Sequence, residues 1–249
     1  MSYEPLVSIV MPLYNCENYV IEAIQSVVSQ SYENWELIVV DDCSTDRSFF
    51  IMQELMDDEF RIKLHKMSKN SGVASVRNYA TKKAAGKYIA FLDCDDVWLL
   101  EKLEKQISMM QRDKVFLSYS AYSTIDENSI VTGLFNVGRE VTYDDMLKSS
   151  TIGTLTMVYN ADELGKCYFK DIGHEDYVMK LELVKRIETA HGITEPLAKY
   201  RIVSKSLSRN KLKAALWQWK IYRDIEKLPL YKAIYYFGWY TFKGFFKYR

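Results

Sequence analysis

Three carboxylates fall within four residues, Asp93, Asp95 and Asp96 of Phe91-Leu92-Asp93-Cys94-Asp95-Asp96, directly after a short apolar run. Like charges this close repel unless a cation neutralises them. A hard divalent ion takes oxygen ligands and often keeps positions open for substrate phosphates. In such a place it would neutralise charge building on a departing diphosphate. By themselves the same residues also read as an acidic turn capping a helix from Trp98 onward. Asp41-Asp42-Cys43-Ser44-Thr45-Asp46 closes an earlier apolar run in the same way. A carboxylate there can accept from a base N–H and the hydroxyls can meet a ribose, although a capped strand-to-helix turn needs the same residues. Asn70-Ser71-Gly72 allows a tight turn, and Arg77 follows on the next helix. Its guanidinium suits either a phosphate or the orientation of a carboxylate.

The elements that must position these groups alternate along the first half. Val7–Met11 is a short apolar run closed by Pro12, and Leu37–Val40 and Tyr88–Leu92 are two more. Such runs predict strands buried on both faces. Ile62 and Leu64 alternate within a third strand over Arg61–Lys66. Val20, Ile24, Val27 and Val28 recur at helical spacing over Glu17–Ser29, as do Ile51 and Leu55 further on, and Val73–Ala85 predicts a helix ended by Gly86. Buried strands alternating with helices predict an α/β class, a doubly wound, mostly parallel sheet. Its right-handed crossovers bring the strand C-terminal ends to one edge, where such folds bind ligands. Leu13-Tyr14-Asn15, Asp41-Asp42 and the Asp93–Asp96 cluster all follow strands, so all three fall on that edge.

The chain has 249 residues, 48% hydrophobic and 27% charged, with no net charge. Such a chain can bury a substantial core. Cys16, Cys43, Cys94 and Cys167 are scattered without a Cys-x-x-Cys pair, which argues against a disulfide framework or a zinc site and suits a reducing cytosol. No signal peptide and no spanning helix is expected. The balance of charge hides an asymmetry. Residues 209–249 hold ten Lys or Arg against Asp224 and Glu226, a net +8, so the preceding residues carry −8. The same tail holds 13 of the 35 aromatic residues. This shift marks a functional boundary near residue 208, with a basic, aromatic tail over 206–249.

Together the motifs resemble the family 2 glycosyltransferases, inverting enzymes with the GT-A fold. The resemblance rests on Val7-Ser8-Ile9-Val10-Met11-Pro12-Leu13-Tyr14-Asn15, Val39-Val40-Asp41-Asp42-Cys43-Ser44-Thr45-Asp46, Asn70-Ser71-Gly72 with Arg77-Asn78, and the Asp93–Asp96 segment. It implies a UDP-type sugar donor and a GT-A-like catalytic unit over about 1–205, with a nucleotide half to about residue 97 and an acceptor half after it. Pro12, Tyr14, Asn15 and Glu17 would line the nucleotide pocket with Asn70, Gly72, Arg77 and Cys94. Asp42, or else Asp41, would meet the uracil. The Asp-x-Asp motif maps onto Asp93, beside the ribose and near the metal, and Asp95, the main ligand of Mn²⁺ or Mg²⁺. Tyr143-Asp144-Asp145 and Gly153-Thr154-Leu155-Thr156 add a finer likeness to bacterial enzymes of capsule, teichuronic acid and related polysaccharide assembly.

In the second half, Gly173-His174-Glu175-Asp176-Tyr177 opens a helix whose inner stripe includes Val178, Leu181 and Val184. The resemblance makes Glu175-Asp176 the catalytic pair, with Asp176 the general base that takes the acceptor hydroxyl proton. In isolation the pair only stabilises a helix N-terminus. His65, His174 and His191 read as structural. Many relatives place a metal-reaching His soon after a Tyr-Arg pair, whereas Tyr200-Arg201-Ile202 leads here to Val203; Ser206 or Ser208 are weak substitutes, and Arg201 acts electrostatically or pairs with a core acid. After Pro229, a helical wheel puts Lys232, Lys243 and Lys247 on one stripe. Ile234, Phe237, Phe242, Phe245 and Tyr248 lie opposite, with Trp239 on a flank. This predicts a peripheral helix on an anionic membrane surface, at the inner face of the plasma membrane, that brings the site to a glycan or lipid-linked acceptor. Nucleic acid is not an expected partner, because the acidic body would repel phosphates. A nucleotidyltransferase would share the pocket but not need Glu175-Asp176. A non-catalytic glycan-binding subunit would have no need of Asp95 or Asp176. A dinucleotide oxidoreductase lacks its glycine fingerprint after the first strand.

Overall fold

The computed structural model describes residues 4–203 and 211–246. Its first half runs β1 (Val7–Leu13), α1 (Val20–Val28), β2 (Trp35–Asp41), α2 (Ser48–Asp58), β3 (Ile62–Lys66), α3 (Val73–Lys83) and β4 (Tyr88–Phe91). The four strands lie in the order β3-β2-β1-β4, all parallel. The chain winds from β1 outward to β3, then returns to β4 on the other side of β1. That reversal opens a crevice at the C-terminal ends of the strands. Helices α1 and α3 lie against opposite faces, so β1, β2 and β4 are buried on both sides. This is why their sequences are continuous apolar runs.

Strand β1 continues through Pro12 to Leu13 instead of closing at Met11. The Val10 carbonyl bonds toward the β4 side and the Leu13 carbonyl toward the β2 side. Pro12 therefore faces β4 beyond Phe91, where the β1–β4 ladder has ended, and its missing N–H leaves no gap.

The second half continues the sheet. It contains β5 (Val97–Trp98), α4 (Lys102–Arg112), β6 (Leu117–Ile125), β7 (Val131–Phe135), β8 (Glu140–Val141), α5 (Tyr143–Lys148), a 3₁₀ turn (Thr154–Thr156), β9 (Val158–Asn160), α6 (Ala161–Leu164), α7 (Glu175–Val184) and β10 (Ala190–Arg201). The order runs on as β4-β9-β6-β10-β5, with β9 antiparallel to both neighbours and β6 parallel to β10. The expected helix from Trp98 begins instead at Lys102. Val97 and Trp98 pair with Lys199 and Ala198, and the Trp98 indole donates to the Leu155 carbonyl at 2.8 Å.

The tail forms α8 (Lys211–Lys220), a π-helical turn (Ile221–Ile225) and α9 (Leu230–Phe246). It packs on the α/β unit, since Ile221, Tyr222, Ala233 and Tyr236 are buried in the same cluster as α3, α5 and α7. Tyr143-Asp144-Asp145 forms the dock. Tyr143 donates to Glu226 and Asp144 accepts from Tyr236, while Asp145 completes a capping box with Thr142. Phe237, expected on a free apolar face, is half-buried edge-on against Trp219. Tyr231, Ile234, Tyr235, Trp239 and Phe242 form the exposed arc instead. Lys247, Tyr248, Ser206 and Ser208 lie outside the described residues. Among the described residues no helix is long and apolar enough to cross a membrane.

Candidate functional site

Two loops interlock at the ends of β1 and β2. Asn15, in the left-handed region at φ 47°, accepts from Thr45 N at 2.8 Å, and its own N–H donates to Ser44 Oγ. Cys16 N donates to Ser48 Oγ at 2.7 Å, and Glu17 Oε2 accepts from Arg47 N at 2.9 Å. Glu17 thus holds the start of α2. Tyr14 remains half exposed beside this loop. Asp41 is buried and accepts from Ser44 N. Asp42 reaches across to the turn before α3, where Ser71 N and Gly72 N donate to its two oxygens at 2.7 and 2.9 Å. The Asn70 amide donates to the Asp42 carbonyl. Gly72 sits at φ 80°, ψ 155°, a conformation that suits glycine.

The acidic loop after β4 is joined to these by sulfur. Cys16 Sγ donates to the Cys94 carbonyl at 2.9 Å. Contact with Cys16, and then burial, pushes the Cys94 thiol well up, so it stays protonated. The three carboxylates have separate surroundings. Asp93 takes both its oxygens to Arg77 Nη2, at 2.7 and 2.9 Å. Asp96 is buried and accepts from Arg201 N at 2.9 Å; burial, with Asp95 and Asp93 beside it, holds its carboxyl far above the usual range. Asp95 has no side-chain partner for its carboxylate among the described residues, and burial with the Asp93 charge pushes it up to about 6. A carboxylate raised by burial and a like charge, and claimed by no other residue's side chain, fits a hard divalent cation. No three His, Cys, Asp or Glu among the described residues suffice to hold a metal by themselves. A metal at Asp95 would therefore also need ligands from water or substrate.

Arg77, 6% exposed on α3, joins the two halves. Beyond its pair with Asp93, Nη1 reaches Glu175 Oε1 at 3.3 Å, and its guanidinium lies 5.2 Å from the Phe169 ring centroid. Burial opposes its charge, but Asp93 dominates the balance and keeps it firmly protonated. Of the two uses open to Arg77, the structure displays the orientation of carboxylates. Glu175 is raised by burial and by Asp176.

Asp176 lies one residue further into α7. Its Oδ2 accepts from Lys180 Nζ at 2.8 Å and from Thr154 Oγ1 at 3.1 Å. Burial would raise this carboxyl, yet Lys180, Arg77 and Thr154 hold it well below the usual carboxylate range. His174 before it is left-handed at φ 61°, with its ring edge-on to Trp217 at 5.4 Å, a packing role. Gly153-Thr154-Leu155-Thr156 forms the 3₁₀ turn that leads into β9. Thr154 meets Asp176, and the Leu155 and Thr156 carbonyls accept from Trp98 and Gln106.

Two organising residues went unassigned by sequence. Lys180 is one; its (i, i+4) spacing from Asp176 was the available signal. The other is Glu22 on α1, which pairs with the buried Arg201 at 2.6 Å. Arg201 also donates from Nε to the Asp95 carbonyl and from Nη1 to Asp126 O and Ser129 Oγ. It is a strut that fixes the acidic loop, and Val203 follows it without polar chemistry. A groove of about 800 Å³ lies at the other edge of the sheet by Trp35, Phe60 and Arg61 and contains none of these groups.

A family model described as Glycosyl transferase family 2 matches residues 8–155. TuaG of Bacillus subtilis, a glycosyltransferase named for teichuronic acid biosynthesis, is 39% identical over 242 residues, covering 96% of each chain. WfgD of Escherichia coli is 39% identical over 231 residues, 92% of this chain and 90% of its own. Its name describes a UDP-Glc:α-D-GlcNAc-diphosphoundecaprenol β-1,3-glucosyltransferase. Among solved structures, residues 1–349 of S. aureus TarS with UDP-GlcNAc superpose at a TM-score of 0.70 and 22% identity, over 80% of this chain and 59% of that one. The mannosyltransferase PcManGT of Pyrobaculum calidifontis, in complex with GDP-Man and Mn²⁺, gives 0.61 at 18% identity, over 88% and 62%. At these identities the structural likeness speaks for the GT-A fold alone.

Proposed function

The chain belongs to glycosyl transferase family 2, and we propose that it moves a sugar from a UDP-sugar to a saccharide on a lipid-linked acceptor in bacterial surface polysaccharide synthesis. One observation carries the reading: Arg77 ties Asp93 to Glu175, so the donor-side acids and Asp176 share one crevice. The full-length relatives support the substrate class. TuaG is named for teichuronic acid and WfgD for a diphosphoundecaprenol acceptor.

In this reading Asn15, Asp41, Asp42 and the Asn70–Gly72 turn form the wall for the uridine, with Tyr14 at its mouth. Asp93, held by Arg77, lies toward the ribose. Asp95 would hold Mn²⁺ or Mg²⁺, which when bound neutralises charge on the leaving diphosphate. Asp176 removes the acceptor hydroxyl proton as that oxygen bonds to the anomeric carbon. The bond from that carbon to the diphosphate oxygen breaks, UDP leaves with the electron pair, and the configuration inverts. The exposed arc of α9 and the basic residues of the tail lay the enzyme against an anionic membrane surface, where such an acceptor resides.

A screen of UDP-sugars for released UDP, with Mn²⁺ and with excess EDTA, tests the core of this. One donor should give metal-dependent release that rises with a diphospholipid-linked saccharide. Release of diphosphate in place of UDP would point to nucleotidyl transfer and overturn the reading. The Asp176→Asn variant should lower turnover by about 10²–10⁴-fold, the range of general base catalysis, with donor binding unchanged. Calorimetric UDP binding checks the second half.

A further inference from the structure

A buried ammonium is seldom left to chance, and Lys180 sits directly behind Asp176. Its side chain is only 3% exposed, and all three of its protons have acceptors. They go to the Ile152 carbonyl at 2.9 Å, Asp176 Oδ2 at 2.8 Å and Thr154 Oγ1 at 3.3 Å. Thr154 in turn donates to the same Asp176 oxygen. Both contacts converge on Oδ2, and Oδ1 has no hydrogen-bond partner among the described residues. We propose that Lys180 is the positioning residue of the base: it clamps one oxygen of Asp176 so that the other is presented, ionised, to the acceptor hydroxyl. This rests on Asp176 being the base.

An exposed (i, i+4) pair on a helix is weak because both side chains swing free. This pair differs. Lys180 is tethered by Ile152 and Thr154 from the segment between α5 and β9, outside its own helix. The carboxylate therefore cannot rotate without leaving a buried cation unpaired. The charged groups facing Asp176 are few. Lys180, Glu175 and the weakly basic His174 come from α7, Arg77 from α3, and Asp93 from the loop after β4 by way of Arg77. Of these, Lys180 is the one cation in direct contact. Without it, Glu175 and the protein packed around Asp176 would raise its carboxyl, with Arg77 the remaining cation to oppose them.

The clamp also bears on turnover. When the acceptor proton passes to Oδ1, Lys180 remains on Oδ2. A carboxylic acid beside an ammonium gives up its proton readily, so the base resets once product leaves. The cost is a base of lower proton affinity, which places the contribution of Lys180 in geometry and ionisation rather than basic strength.

The test compares the full-length protein with Lys180→Met and Lys180→Arg under saturating Mn²⁺, measuring kcat and KM for the donor between about pH 5 and 9. The ratio of variant to wild-type kcat cancels any titration the proteins share. For Lys180→Met the ratio should fall on the acid side by about tenfold per pH unit below a new pKa, as expected for a base that now takes up a proton. Donor KM should be unchanged, and Lys180→Arg should restore the flat acid side. If Lys180→Met fails to fold, Lys180→Gln keeps a donor for Ile152 while losing the charge, and must show the same acid limb. A pH-independent ratio in whichever uncharged variant folds overturns the clamp. Wild-type turnover in Asp176→Asn would instead overturn the assignment of the base itself.

Discussion

At the scale of single residues, the site is a set of carboxylates kept in different states by their neighbours. Asp93 is neutralised by Arg77, Asp96 is buried against a backbone N–H, and Asp176 is ionised by Lys180. Asp95 is raised to about 6 by burial and by Asp93, and unlike Asp96 it has no partner from another residue among the described residues. The sign of its linkage follows. Its folded pKa lies above the ordinary 3.8, so the proton stabilises the metal-free fold. That contribution is present below about pH 4 and is lost as the pH rises through about 6. A metal must compete with the same proton. The rise in Tm on adding Mn²⁺ should therefore be large at pH 7.5 and fade toward pH 5, as differential scanning calorimetry can follow. Asp95→Asn should abolish that rise at every pH. It should also lower Mn²⁺-dependent transfer on the order of 10³-fold, since the metal supplies several kcal/mol. Full activity in this variant would remove Asp95 from the mechanism.

At the scale of elements, α7, which carries Glu175 and Asp176, is held from outside by the tail. A Cβ on Gly173 would come within 2.1 to 2.6 Å of the Trp217 ring, so only glycine lets α8 lie on the start of α7. Gly173→Ala should cost about 1–3 kcal/mol, as overpacking does. That is roughly 2–9 °C of Tm in a chain of this size. Transfer should fall with it, because His174, Glu175 and Asp176 move with the loop. Adding Trp217→Leu should recover part of the Tm, and if it recovers none the clash is not the cause. This contact joins segments far apart in sequence and was not legible there. The strands β1, β2 and β4 were legible, because burial on both faces leaves an unbroken apolar run. The two residues of β5 and three of β9 are too short to show a period, and their partners decide their place. The candidate acids were legible as motifs, but their partners were not. Spacing shows that Lys180 shares a helix face with Asp176, yet not that both are walled in by Ile152 and Thr154. Arg201 was open between two roles, and its partner Glu22 lies 179 residues away.

At the scale of the whole molecule, the tail has two faces with different work. Ala233 and Tyr236 belong to the core, and Tyr222 donates to the Leu147 carbonyl, so the tail completes the fold around α5 and α7. Deleting 230–249 should therefore destabilise the catalytic unit, and cannot by itself test membrane binding. The outer face can. Tyr231, Ile234, Tyr235, Trp239 and Phe242 are exposed, and Ile234, Tyr235, Gly238, Trp239 and Phe242 line one shallow apolar groove. Lys232 stands beside them, exposed, in a tail of net charge +8 on a body of −8. A lysine near an anionic leaflet contributes about 1 kcal/mol, which fades within a Debye length, so apolar burial must supply the rest of the attachment. Substituting Ile234, Trp239 and Phe242 together by Ser removes that area without touching the buried face. The variant should keep the wild-type Tm and its transfer to a water-soluble acceptor analogue. It should also fail to sediment with phosphatidylglycerol vesicles at low salt, where the wild type does. Lys232→Glu should weaken sedimentation in a salt-dependent way and leave the rest intact. If the triple serine variant sediments as the wild type does, α9 is not the anchor, and its exposed aromatics serve something other than a lipid surface.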